Sequence, residues 1–174
     1  VSRMLRIGWV LLGIWAGPVW SGACPTAAPP GLIALDGRPA PGLRLPDLDG
    51  RTVDLKAFRG RWVMVHFWAS WCAPCRREMP ALARAAAGFG KDIALVLVNT
   101  AETEEEAFAF LGAVAPDLPS LLDRDGSATE RWQPRGLPAS FFVDPGGRLR
   151  WIALGGRPWD SPAYARLLAR IPAC

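Results

Sequence analysis

Two apolar runs anchor the reading of the chain. Val63–Trp68, interrupted only by His66, and Ile93–Val98 each lack the alternation of a half-exposed strand, so both are expected in a sheet covered on both faces. The period changes between them. Met79, Leu82, Ala83 and Ala86 recur at spacings of three and four, which predicts a helix starting at Cys72–Cys75 with these residues on one face. A second helix is predicted after Thr103-Glu104-Glu105-Glu106, a capping box with Thr103 at the N-cap and Glu106 three residues on. Its acidic first turn suits the helix dipole, and Ala107, Phe108, Phe110, Leu111 and Val114 form its expected buried side. Shorter elements complete the pattern. Strands Leu43–Pro46 and Thr52–Leu55 flank the turn signal Asp49-Gly50, and a strand Ser120–Leu122 precedes a helix Ser127–Trp132. A second hairpin, Ala139–Val143 with Leu149–Ala153, surrounds Pro145-Gly146-Gly147. Ser161 followed by Pro162 opens a last helix whose apolar face is Tyr164, Leu167, Leu168 and Ile171. This order predicts an α/β domain: a central mixed β-sheet flanked by helices, with an added N-terminal β-hairpin.

The first residues have a different character. Arg3 and Arg6 precede an uncharged, mostly apolar stretch from Ile7 to Trp20, and Ser21-Gly22-Ala23 supplies small residues for cleavage. Residues 1–23 therefore read as an export signal, the alternative being a retained membrane anchor. Counting to Ala23 gives 17 uncharged residues broken by Pro18, which is short for a span. Cys24 follows directly, as in a lipoprotein cleavage site, so its lipidation is possible in principle; Ser21 stands where that pattern usually has an aliphatic residue. Residues 24–42, rich in Pro, Ala and Gly, read as a tether, and 43–174 as the folded domain. The expected location is extracytoplasmic, in the periplasm or on the outer face of the cytoplasmic membrane.

Composition narrows the function classes. The chain is 51% hydrophobic and 21% charged, as a globular domain requires. Its net charge of +4 falls to +2 without Arg3 and Arg6, and no basic cluster is interleaved with aromatics, so no nucleic-acid partner is expected. A single histidine argues against a His-based metal centre and against a Ser-His-Asp triad.

Four cysteines are present, and Cys72-Ala73-Pro74-Cys75 pairs two of them locally. Two intervening residues allow the sulfurs to close a disulfide across the first turn of a helix. Pro74 is tolerated there because its missing N–H has no intrahelical partner. At the helix N-terminus, orphan N–H groups and the dipole stabilise a Cys72 thiolate; lowering a thiol pKa from about 8.5 to about 7 raises the reactive fraction at neutral pH from roughly 3% to about half. The pair therefore reads as redox-active. The alternatives are a structural disulfide, or half of a zinc site that would need two more ligands from His66, Cys24 and Cys174, at no recognisable spacing. No chemistry is assigned to Cys174.

The string Phe67-Trp68-Ala69-Ser70-Trp71-Cys72-Ala73-Pro74-Cys75-Arg76-Arg77-Glu78-Met79-Pro80 resembles the active-site segment of the thioredoxin superfamily. It is most similar to the TlpA/ResA group of bacterial extracytoplasmic thiol–disulfide oxidoreductases. The likeness extends from Pro39 to about Ala153 and includes Gly136-Leu137-Pro138 and Phe142-Val143-Asp144. The resemblance implies a thioredoxin-like fold, with Cys72 the attacking nucleophile and Cys75 the buried resolving thiol. It implies that Pro138 is cis and opposite the disulfide, which frees the backbone of Leu137 to pair with substrate. Trp71, Ala73 and Pro74 would belong to the docking surface and Trp68 to the packing around it. Pro80 matches the superfamily proline that kinks the active-site helix.

Glu78 matches a glutamate that handles protons in ResA-like members; its other reading is a solvated helix residue. His66 departs from the family, which has a buried aspartate or asparagine there. It could accept the proton of Cys75, or serve as a hydrogen-bonded core residue. By the same resemblance the reaction reduces protein disulfides with no cofactor beyond the Cys72/Cys75 disulfide. Apocytochrome c or a copper-site protein would be the substrate and a membrane protein the electron donor. A disulfide-forming oxidase and a copper-delivery module are the rival readings.

Overall fold

The computed structural model describes residues 28–173. The expected export signal, Cys24 and Cys174 lie outside them. The elements are β1 (Ile33–Ala34), β2 (Arg44–Pro46), β3 (Thr52–Asp54), β4 (Trp62–Trp68), α1 (Ala73–Ala86), β5 (Ile93–Thr100), α2 (Glu104–Val114), β6 (Ser120–Asp123), α3 (Ser127–Trp132), β7 (Ala139–Val143), β8 (Leu149–Leu154) and α4 (Pro162–Arg170), with a 3-10 turn at Leu55–Phe58 and another at Ile171–Ala173.

Six strands form one sheet in the order β1-β8-β7-β4-β5-β6. β4, β5 and β6 run parallel, while β7, β8 and β1 are added antiparallel, so the sheet is mixed. The two apolar runs are its central neighbours, paired from Trp62↔Ile93 to Trp68↔Asn99. Both are covered on each face because the side chains alternate between two cores. Trp62, Met64 and Trp68 join Met79 and Leu82 of α1, Phe110 and Leu111 of α2 and Leu168 of α4. Val63, Val65 and Phe67 face the other way, onto Trp132 of α3 and Leu43 beside the β2–β3 hairpin. Each fully buried aliphatic or aromatic side chain contributes about 1.5–3 kcal/mol to this packing. His66 has the parity of Met64 and Trp68, which aims it at α1.

Caps set the helix boundaries. Thr103 Oγ1 accepts the Glu106 N–H at 3.3 Å while the Glu106 carboxylate accepts the Thr103 N–H at 2.9 Å, a complete capping box. The Ser161 side chain caps α4, with Pro162 in its first turn. Pro80 lies inside α1 without ending it. Gly147 turns the chain between β7 and β8 with φ +77°, and the Arg59 guanidinium lies where a β-carbon would be.

Two details differ from the sequence reading. The segment read as a tether is partly built into the domain: Ile33 and Ala34 pair with Ile152 and Trp151, Pro39 bridges Arg148, and Leu32 is buried. Its Pro-, Ala- and Gly-rich composition hides an edge strand of two residues, which gains its hydrogen bonds from β8. Phe108, expected on the buried face of α2, is 65% exposed, whereas Phe110 packs 5.5 Å from Trp68, ring centre to ring centre. Ala107, Phe110 and Leu111 define the buried stripe, and Phe108 lies off it.

Candidate active site

Strand β4 ends at Trp68, and four residues later the chain enters α1 with Cys72 as its N-cap. Cys72 and Cys75 form a disulfide with Cα atoms 5.2 Å apart. Cys72 Sγ also accepts the Cys75 N–H at 3.3 Å, so this sulfur lies against the orphan donors of the helix N-terminus. Cys75 is fully buried and Cys72 is 5% exposed. Trp71 stands beside the pair, 66% exposed, and Ala73 is also exposed. Pro74 is half-buried in the first turn. The Leu137–Pro138 peptide is cis, and the Pro138 carbonyl accepts the Gly155 N–H at 2.9 Å. Gly156 packs against Pro74 and Glu78, so the loop after β8 closes over the start of α1.

Glu78 is one helical turn beyond Cys75, hence on the same face of α1, and it is buried rather than solvated. Its Oε2 accepts the Arg157 N–H at 2.8 Å and the Trp159 Nε1–H at 3.0 Å. Its Oε1 faces His66 Nε2 at 3.3 Å, and neither atom has another hydrogen-bond partner. His66 is completely buried; its Nδ1 shares a hydrogen bond of 2.8 Å with Ser140 Oγ. His66 and Ser140 are cross-strand partners of β4 and β7 and point to the same face. The contact between Nε2 and Oε1 suits one proton: imidazole donating to carboxylate, or protonated carboxyl donating to imidazole. One helical turn beyond Cys75 the protein thus holds a buried contact between a carboxyl group and an imidazole.

Of the two sequence readings of His66, the arrangement shows the hydrogen-bonded core residue, with Glu78 as its second polar neighbour. Trp68 is fully buried and donates from Nε1 to Ser120 Oγ at 3.0 Å. Sequence reasoning did not single out Ser140, Trp159, Ser70 or Glu102. Ser140 carried a weak signal as the polar residue inside the apolar run Ala139–Val143. Glu102 is buried, accepting the Ser70 N–H at 2.7 Å and the Asn99 Nδ2–H at 2.5 Å, with the Ser70 hydroxyl on its other oxygen. Among the described residues, no group of three or more His, Cys, Asp or Glu side chains is placed to hold a metal ion. No helix among them is long and apolar enough to cross a membrane.

Known proteins share this architecture. Residues 37–152 match the AhpC/TSA family. The thiol-disulfide oxidoreductase ResA of Bacillus subtilis (strain 168) is 28% identical over 121 residues, 69% of this chain and 68% of its own length. ResA of Geobacillus thermodenitrificans is 31% identical over 120 residues, covering 68% of this chain and 69% of that one. Among solved structures, a Chlorobium tepidum protein described as a thiol:disulfide interchange protein DsbE superposes with a TM-score of 0.70 at 31% identity, covering 78% of this chain and 96% of the other. With the Cys72–Cys75 disulfide capping α1 inside the matched region, the chain belongs to the thioredoxin-like AhpC/TSA family and, within it, to the ResA-like thiol–disulfide oxidoreductases.

Proposed function

We propose that this oxidoreductase works outside the cytoplasm as a reductant of protein disulfides, with Cys72 attacking and Cys75 resolving. The observation that carries the assignment of roles is the asymmetry of the pair. Cys72 Sγ sits at the helix N-terminus as acceptor of the Cys75 N–H, while Cys75 is sealed in the core. In the dithiol form, the Cys72 thiolate attacks one sulfur of a substrate disulfide, and a mixed disulfide forms as the other substrate sulfur leaves as thiolate. Cys75 then loses its proton and attacks Cys72 Sγ, which releases the second substrate thiolate and closes the Cys72–Cys75 disulfide. Two electrons pass to the substrate, and a membrane-bound dithiol donor must return them.

In this reading Glu78, one turn from Cys75 and beside His66, receives the Cys75 proton, which its burial on the same face of α1 supports. Exposed Trp71 and Ala73, with half-buried Pro74 and Leu137, supply the apolar surface on which a substrate strand docks beside Pro138. The resemblance to ResA-like proteins supports apocytochrome c cysteines or a copper-site protein as substrate, and residues 1–23 support export.

The deciding measurement is the equilibrium potential of the Cys72/Cys75 pair against glutathione. A value well below about −200 mV fits a reductant, and one near about −120 mV makes the protein an oxidant and refutes the direction.

A further inference from the structure

We propose that Glu102 is a positioning residue for the thiol chemistry: its buried carboxylate clamps the Ser70 turn and thereby holds Cys72 in its capping geometry. The inference rests on the reading of Cys72 as the attacking thiol. The four residues between the end of β4 and α1 form a turn outside both elements, and Ser70 within it is held through its N–H, hydroxyl and carbonyl. The Ser70 N–H and hydroxyl both donate to Glu102. The Ser70 carbonyl accepts from Arg76 Nη1 at 3.2 Å, and that guanidinium lies 5.1 Å from the centre of the Phe110 ring. The Cys72 N–H donates to the Ala69 carbonyl at 3.2 Å, so Ser70 lies inside the turn that delivers Cys72 to the helix.

Glu102 is held in turn from behind. Asn99, at the end of β5 and opposite Trp68 in the sheet register, donates to the same carboxylate. Three donors therefore converge on two oxygens of one buried group. A carboxylate satisfies them all, and an amide can too, its nitrogen donating to the Ser70 hydroxyl, whereas alanine leaves all three donors without this acceptor. The chain also accepts an unfavourable backbone to aim this residue: Ala101, immediately before it, has φ +53°, a region that L residues other than glycine rarely occupy. A buried, multiply bonded carboxylate reached through a strained residue is over-determined, and what it grips is the turn before the nucleophile.

Two effects of Glu102 on Cys72 have opposite signs, which makes the role measurable. As a nearby negative charge, the carboxylate disfavours the Cys72 thiolate, so deleting it should make Cys72 ionise at lower pH. As a clamp, it keeps Cys72 at the helix N-terminus, so deleting it should make Cys72 ionise at higher pH. The proposal requires the second effect to win.

The test measures iodoacetamide labelling of the fully reduced full chain across pH, with mass spectrometry identifying the labelled cysteine. Wild type is compared with Glu102→Gln, Glu102→Ala and Ser70→Ala. In Glu102→Ala, Cys72 should label about threefold more slowly than wild type near about pH 6.5, corresponding to a rise of about half a pH unit in its midpoint, whereas Glu102→Gln, which keeps the contacts and loses only the charge, should label at least as fast as wild type. The rates should converge near about pH 9.5, where the thiol is ionised in every form. Cys75 should stay unlabelled, which shows that the core is intact. Equal or faster labelling of Cys72 in Glu102→Ala overturns the proposal. Where a Glu102 variant also labels Cys75 and so has lost its fold, Ser70→Ala decides by the same criterion, since it removes only the hydroxyl contact. Preferential labelling of Cys75 in the wild type would instead refute the assignment of the attacking thiol, a result distinct from any change between variants.

Discussion

Replacing Glu78 in two ways separates what it holds from what it transfers. Glu78→Ala leaves the Arg157 N–H and the Trp159 Nε1–H without an acceptor and strips His66 Nε2 of its neighbour. A buried donor left unsatisfied costs about 1–3 kcal/mol, so the buried Trp159 Nε1–H and the part-buried Arg157 N–H together predict a loss of about 2–4 kcal/mol, the second counting at about 1. That is a large share of the roughly 5–15 kcal/mol that holds such a domain together. Glu78→Gln keeps an oxygen for both N–H donors. Its amide can donate to His66 Nε2 once the imidazole proton moves to Nδ1, where Ser140 Oγ accepts it. The expected loss is then about 1 kcal/mol, a few degrees in melting temperature.

The chemical effect should nevertheless be clear. Glutamine binds no extra proton, so any proton that Glu78 takes up as the disulfide opens disappears from the reaction. For a two-electron couple one proton corresponds to about 30 mV per pH unit in the slope of potential against pH. The assay is the potential of both forms from about pH 5 to about pH 9, beside their rates of insulin reduction. The wild-type and Glu78→Gln curves should diverge by up to that slope, with slower exchange in the variant. Superimposable curves and equal rates would reduce Glu78 to a structural acceptor. A variant Glu78→Gln as unstable as Glu78→Ala would refute the hydrogen-bond accounting.

Four other outcomes are expected. Cys72→Ser should abolish insulin reduction, while Cys75→Ser should accumulate mixed disulfides visible on a non-reducing gel; the reverse pattern would exchange the two roles. His66→Asn should cost about 2 kcal/mol in denaturant melts, more than the family resemblance alone suggests, because the shorter amide cannot reach from Ser140 Oγ to Glu78 Oε1. Glu106 is held below its ordinary value of 4.5 by the Thr103 N–H and hydroxyl that it accepts. Its stabilisation is therefore present above that value and lost as pH falls through the lower folded one, so the melting gap between wild type and Glu106→Gln should narrow on acidification from about pH 6 to about pH 3. Phe108→Lys should stay within about 0.5 kcal/mol of wild type, whereas Phe110→Ala should cost about 3 kcal/mol, and equal melts would refute the assignment of the buried stripe.

Much of this molecule was legible from local pattern. The apolar runs of β4 and β5, the capping box of α2, the Ser161-Pro162 start of α4 and the placement of Cys72-Ala73-Pro74-Cys75 between strand and helix follow from interactions within a few residues, which the order of residues encodes directly. Resemblance to the ResA-like family, rather than local pattern, marked Glu78 and His66 as residues of interest, and it could not decide their surroundings. Their meeting depends on three distant choices: the parity that turns His66 toward α1, the β4–β7 register that sets Ser140 opposite it, and the loop after β8 that brings Arg157 and Trp159 onto Glu78. No local propensity specifies any of them. Edge strand β1 is likewise invisible in its own residues, because two residues of strand are stable only against β8. Glu102 was not singled out by the sequence at all. Tertiary folding alone buried it against Ser70 and Asn99, where removal from water gives three hydrogen bonds to one carboxylate a strength that they lack at a surface.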